Sequence, residues 1–199
     1  MVAAAPVPEL PVIDRSRLRH LLEHHAPADD REAGYCERML GLLGVSGDPF
    51  SRDHFEPGHF TASSFVLTPD RTRVLLILHA RLGLWLQPGG HFDPGDSDAL
   101  AAARREVVEE TGIRDLDLGL HTEGCPLLDV DIHAIPANPA RKEPGHRHFD
   151  LRFLLVASSE ALRAGSDALE ARWVPVDEVQ DAGTDDSVRR AIRKLRCLL

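Results

Sequence analysis

The sequence has 199 residues, 43% apolar and 28% charged, which is the composition of a folded globular chain and argues against a disordered one. Its formal net charge of −9 argues against broad electrostatic binding to DNA or RNA, and admits a small anionic substrate only with a cation in the site. The scattered cysteines Cys36, Cys125 and Cys197 form no CxxC pair; they suggest neither a disulfide framework nor a thiolate zinc site, and a reducing cytoplasm is the expected location. No basic start followed by an apolar core opens the chain, and no apolar run approaches the roughly 18 residues of a membrane-spanning helix, so no membrane association is expected.

Residues 1–12 are rich in Ala and Pro. Asp14–His25 reads as a helix with Leu18, Leu21 and Leu22 on one face and Asp14 as N-cap, and Arg31–Leu43 as a second helix ended near Gly44. Strand signals begin at His59–Leu67 and strengthen in Arg73–His79, whose continuous apolar run suits a strand buried on both faces. Leu84–Gln87 reads as a short strand ending at Pro88-Gly89-Gly90, and a helix is predicted over Asp98–Thr111. Strands are expected over Leu127–Ile135, His148–Ala157 and Ala171–Val174, with helices over Val176–Gln180 and Asp186–Cys197. Helices before, between and after strands predict an α/β fold, with a mixed β-sheet between helical layers. Residues 1–50 form an N-terminal helical extension in this reading, and residues 55–199 the main domain.

The chemistry concentrates between Gly89 and Ile113. Glu106, Glu109 and Glu110 stand at i, i+3 and i+4, so their carboxylates share one helix face with the small residues Ala99, Ala102 and Ala103. Clustered carboxylates repel one another and raise their own pKa values unless a divalent cation intervenes. Hard oxygen donors suit Mg²⁺ or Mn²⁺, and the Gly89-Gly90 turn lets a backbone carbonyl reach such an ion.

The run Arg105-Glu106-Val107-Val108-Glu109-Glu110-Thr111-Gly112-Ile113 resembles the second half of the Nudix box, written G-x5-E-x7-R-E-U-x-E-E-x-G-U with U aliphatic. The first half matches through Gly90 and, five residues on, Asp96. Two departures stand out: Asp96 replaces the usual Glu, and eight residues rather than seven separate it from Arg105. Leu84-Trp85-Leu86-Gln87-Pro88 and Arg172-Trp173-Val174-Pro175 extend the similarity over roughly residues 55–180. The resemblance implies a Nudix-type α/β/α sandwich and metal-dependent hydrolysis of a diphosphate linkage in a small, nucleotide-like molecule. It assigns metal binding to Glu106, Glu109, Glu110 and the Gly90 carbonyl, and catalysis to Glu109 and Glu106, with Mg²⁺ (or Mn²⁺) as cofactor. Arg105 is expected nearly opposite the metal face, pairing with Asp96 or Asp93. A loop carboxylate such as Glu143 is a second candidate for the general base. A homodimer is left open, as are two rival readings, an isoprenoid diphosphate isomerase and a non-catalytic ligand-binding module.

A second polar pattern lies at Gly145–Phe153, where strand alternation places His146, His148, Asp150 and Arg152 on one face and Phe149, Leu151 and Phe153 on the other. Three readings compete: an exposed or internally hydrogen-bonded face, a substrate-binding cleft wall of His146, His148, Asp150 and Arg152 with His146 or His148 and Arg152 on phosphate or sugar oxygens, or a site of two His and an Asp for Zn²⁺ or Mn²⁺.

Overall fold

The structure, a computed structural model, describes residues 13–119, 125–163 and 168–199. Two helices come first, α1 (Arg15–Glu23) and α2 (Asp30–Leu42). Four strands follow, β1 (His59–Leu67), β2 (Arg73–His79), β3 (Trp85–Leu86) and β4 (Gly89–His91), and then α3 (Ala99–Thr111). The chain continues through β5 (Leu116–Leu118), β6 (Leu127–Ile135), β7 (His146–Ala157) and β8 (Ala168–Pro175), and closes with α4 (Asp186–Arg196). Each α-helix starts behind an aspartate whose carboxylate accepts backbone N–H groups of the first turn: Asp14, Asp29, Asp98 and Asp185. That satisfies donors the helix cannot pair internally.

The eight strands form one mixed sheet, in which β1 and β7 run parallel from His59↔His148 to Leu67↔Val156. The remaining pairings are antiparallel: β6 and β5 on the far edge of β7, and β3 and β8 on β2. The near edge of β1 is divided. Leu67 pairs with Val74 of β2, whereas Thr61, Ala62 and Ser63 pair with His91, Gly90 and Gly89 of β4. This division carries Gly89 and Gly90 into the sheet next to the middle of β1.

Layers on both faces bury the sheet. Phe60 and Ala62 of β1, with Phe149, Leu151 and Phe153 of β7, pack against Leu18, Leu22, Met39 and Leu42 of α1 and α2 and Ala99, Ala102 and Ala103 of α3. On the opposite face Phe65, Leu67 and Leu154 meet Val188, Ala191, Ile192 and Leu195 of α4. The expected α/β/α sandwich is therefore present. Helices α1 and α2 complete the first layer, and Glu32 of α2 pairs with Lys194 of α4 at 2.8 Å and His25 at 2.7 Å.

Four local expectations are revised. Gly89–His91, read as a turn, is a strand, because its register comes from β1 rather than from side chains with strand propensity. Leu116–Leu118 is a strand too short to leave a periodic signal. Strand β7 begins at His146 instead of His148, extended by pairing with Ile135. Val176–Asp181 is a 3-10 helix rather than an α-helix, a tighter form that serves here as a connector between β8 and α4.

Candidate active site

Helix α3 is fixed at both ends, with Asp98 accepting from Ala101 N at 2.9 Å and Gly112 ending it at φ +76°. Val107 is buried in the core, which turns Glu106 and Glu110 toward β4. Glu110 is buried and accepts the N–H of Gly89 at 3.0 Å. The Glu106 carboxylate lies so close to Gly90 that a Cβ there would stand 2.5 Å from Oε1. A glycine is therefore needed at 90 for the carboxylate to reach the β4 backbone. Burial raises the Glu106 pKa, the charges of Glu109 and Asp93 raise it further, and Arg105 opposes them. Glu109 is the outermost of the three, its side chain 51% exposed.

Arg105 links the helix to the preceding turn. It binds Asp96 in bidentate fashion, Nε to Oδ1 at 3.1 Å and Nη2 to Oδ2 at 3.0 Å, and Nη2 also donates to the His91 carbonyl at 2.8 Å. Asp96 itself is buried and accepts the Asp93 N–H at 2.8 Å, which closes the turn. The one-residue insertion thus coexists with a shorter carboxylate that still reaches the guanidinium. One detail of the sequence reading is corrected: Arg105 does not sit opposite the glutamates. Its Nη1 donates to Glu106 at 2.9 Å and Glu109 at 3.1 Å. Burial alone would lower the Arg105 pKa; the hydrogen bond to Asp96 and the charge of Glu106 outweigh it.

The sheet face opposite α3 is polar in three successive rows. Pairing across β6, β7 and β1 gives His133–His148–His59, then Asp131–Asp150–Thr61, then Asp129–Arg152–Ser63. His91 of β4 pairs with Thr61 and so joins this face. The third row is closed. Arg152 is 2% exposed, with Nη1 3.1 Å from Asp129, Nη2 3.3 Å from Asp131 and Nε 3.0 Å from Asp150. Arg190 of α4 covers it, 2.7 Å from Asp129 and 3.2 Å from Asp131, and Ser187 accepts from Arg152. The assignment of Arg152 and Asp150 as substrate contacts is therefore corrected: both are buried in an internal ionic network, which α4 covers through Ser187 on Arg152 and Arg190 on Asp129 and Asp131. Asp150 spends its oxygens on Thr61 at 3.0 Å, Ser63 at 2.8 Å and Arg152.

The first row differs. His59, His91 and His148 bring ring nitrogens within 4.8 Å of one another, and the His146 ring stacks beside His59 with centroids 5.0 Å apart. Burial, with the charge of His91 next, lowers the His59 pKa to about 4. Burial followed by Arg52 and His146 lowers His91 to about 4, and burial followed by His91 and His133 lowers His148 to about 2. All three are neutral imidazoles at neutral pH.

A family model of the NUDIX domain matches residues 58–195, more than two thirds of the chain. The chain belongs to the Nudix family. A relative from Lactococcus lactis subsp. cremoris, named as a DHNTP pyrophosphohydrolase, is 35% identical over 95 residues, covering 48% of this chain and 52% of its own length. One from Bacillus subtilis, named as an 8-oxo-dGTP diphosphatase, is 43% identical over 54 residues, 27% of this chain and 36% of the relative. The chain thus spans about half the length, or less, of these curated relatives. Among solved structures, a NUDIX-family hydrolase from Clostridium perfringens superposes with a TM-score of 0.52 at 23% identity, covering 71% of this chain and 98% of that one. The E. coli dihydroneopterin triphosphate pyrophosphohydrolase gives 0.52 at 19% identity, covering 68% and 92%. At these identities the structures bear on the fold.

Within this Nudix domain the structure gathers Gly90, Asp96, Arg105, Glu106 and Glu109 into one connected group, with Glu110 anchored to Gly89. Glu143 sits apart from them in hydrogen bonding: it closes a turn through backbone bonds with Asn138, and among the described residues its carboxylate has no ion pair. His59 and His91 were not singled out from the sequence. The signal available for His59 was the polar alternation His59, Thr61, Ser63 at the start of its strand. His91 carried none, since its strand is defined only by pairing.

Proposed function

We propose that this Nudix chain is a metal-dependent hydrolase of a diphosphate linkage in a nucleoside-diphosphate-type small molecule, with Mg²⁺ (or Mn²⁺) held by Glu106, Glu109, Glu110 and the Gly90 carbonyl. The observation that carries this reading is the convergence of glutamates on the Gly89-Gly90 segment of β4, where Glu110 meets the Gly89 N–H and Glu106 fills the space a Cβ at Gly90 would take. The donor set is oxygen throughout and burial raises the Glu106 pKa, so the residues fit a hard divalent ion. Such an ion, when bound, neutralises diphosphate oxygens and acidifies a bound water. The protein's own groups do the positioning. Arg105, held by Asp96 and the His91 carbonyl, orients Glu106 and Glu109. Glu109, open to solvent, accepts the proton of the attacking water.

The test is a panel of 8-oxo-dGTP, dihydroneopterin triphosphate, ADP-ribose, a dinucleotide polyphosphate and a nucleotide sugar, with Mg²⁺ and products identified by mass. At least one should be cleaved at phosphorus, and chelation should abolish turnover. Glu106→Gln should lower kcat at least about a hundredfold with an unchanged circular dichroism spectrum, since loss of a ligand weakens the transition state by several kcal/mol. Undiminished turnover in chelator, or in Glu106→Gln, would refute the mechanism. Tight binding of a panel member without turnover would replace it with the ligand-binding module.

A further inference from the structure

The histidine row offers chemistry that the carboxylate helix does not. Three strands contribute to it: His59 from β1, His148 from β7 and His91 from β4, with ring nitrogens within 4.8 Å of one another. Two ligands in a tetrahedral zinc site with Zn–N bonds of ~2.1 Å lie ~3.4 Å apart, so small imidazole rotations of roughly 1 Å close the set on an ion.

We propose that His59, His91 and His148 form a second metal centre, specific for a zinc-class divalent transition ion and separate from the oxygen-ligated glutamate site. Three imidazole nitrogens are a donor set such ions prefer, and hard Mg²⁺ does not. The observation behind this is an orphaned atom. His59 is 1% exposed, its Nδ1 lies 3.2 Å from the His54 carbonyl, and its Nε2 is buried with no hydrogen-bond partner. A carbonyl can only accept, so Nδ1 carries the proton and Nε2 holds a lone pair in a dry position. A buried acceptor without a donor is destabilising unless a cation meets it.

The surrounding hydrogen bonds repeat the arrangement that orients metal-bound histidines, in which the second ring nitrogen donates to a carbonyl or carboxylate. His146 Nδ1 lies 2.9 Å from the Pro144 carbonyl, which leaves its Nε2 as an acceptor 3.3 Å from His148 Nε2. His148 then donates through Nε2, and its other ring nitrogen carries a lone pair. His54 Nδ1 lies 2.7 Å from the Gly58 carbonyl, bracing the loop whose own carbonyl orients His59. The ring of His91 makes no hydrogen bond among the described residues. With three protein ligands a tetrahedral ion keeps a fourth position for water or an anionic oxygen.

This inference stands apart from the proposed hydrolase activity, and metal content tests it without an assay. The purified 199-residue chain, stripped with chelator, loaded with Zn²⁺ and desalted, should retain one zinc per chain by elemental analysis. Co²⁺ in place of Zn²⁺ should give the strong blue absorption of a four-coordinate nitrogen-ligated ion, whereas an all-oxygen six-coordinate site is only faintly coloured. His91→Ala and His148→Gln should each lose the zinc and the blue band. Glu106→Gln combined with Glu110→Gln should keep both, and His133→Gln, one ring further out, should also keep them. Absence of retained zinc and of the blue band in the wild-type chain would overturn the proposal, and that measurement does not depend on any variant folding. So would zinc retained in His91→Ala, or zinc lost in the double glutamine variant.

Discussion

Two clusters of carboxylates in this protein look alike in composition and differ in fate. Around α3, the single guanidinium of Arg105 serves Asp93, Asp96, Glu106 and Glu109. Between the sheet and α4, the two guanidinium groups of Arg152 and Arg190 serve Asp129, Asp131 and Asp150, and all five side chains are buried. The first cluster has negative charge to spare and Glu109 open to solvent. The second is nearly balanced internally and has nothing left to offer a ligand. An acidic cluster is read as a site or as scaffold by its count of cations and by its access to solvent, and its number of carboxylates decides neither.

The largest effect expected from breaking this contrast is structural. Arg152→Ala leaves three buried aspartates with one guanidinium, and removing one member of a buried ionic network costs about 3–5 kcal/mol. Melting should fall by roughly 10 °C, with KM for a cleaved substrate unchanged per folded molecule. A higher KM at unchanged melting temperature would return Arg152 to the cleft. A smaller effect should mark the first cluster. Mg²⁺ at about a hundredfold excess over its Kd stabilises by about 2.7 kcal/mol through mass action, which is several degrees in Tm. The variant with Glu106, Glu109 and Glu110 all changed to Gln should lose that rise. An equal rise in both proteins would place the ion elsewhere.

The finest distinction is in pH. Burial pushes the Asp129 pKa up to about 7 despite Arg152 and Arg190, so the folded state holds a proton that the unfolded state, with its ordinary 3.8, has released. Its contribution to stability therefore declines as pH rises from about 4 to about 7. Asp131 and Glu32 run the other way. Burial opposes ionisation in both, but the His133 and His25 hydrogen bonds and neighbouring cations outweigh it and hold each at about 2. What they contribute is complete above about pH 4 and disappears as pH falls toward 2. Asp129→Asn should remove the decline between about pH 4 and pH 7 while leaving the acid limb, as read from chemical denaturation across that range. A decline of wild-type slope in the variant would assign it to another group.

Local signals in the sequence reached most of the elements and the whole carboxylate helix. The i, i+3, i+4 spacing of Glu106, Glu109 and Glu110 survives any tertiary arrangement, because a helix places those residues on one face by its own geometry. The same holds for Asp98 as cap, Gly112 as stop and the alternation that buries Phe149, Leu151 and Phe153 while turning His146, His148, Asp150 and Arg152 to the other side. Alternation told which residues share a face, and it was silent on what covers that face. Only the packing of α4, carrying Arg190 and Ser187 onto the sheet, and the pairing of β7 with β1, setting Thr61 and Ser63 against Asp150, decided that Arg152 and Asp150 are scaffold. Only the pairing of β4 and β7 with β1 brought His91 and His148 to His59, from positions 32 and 89 residues away in the chain. Periodicity is a property of one segment, whereas a site assembled across strands depends on register between segments, and register is set by the burial of the entire sheet.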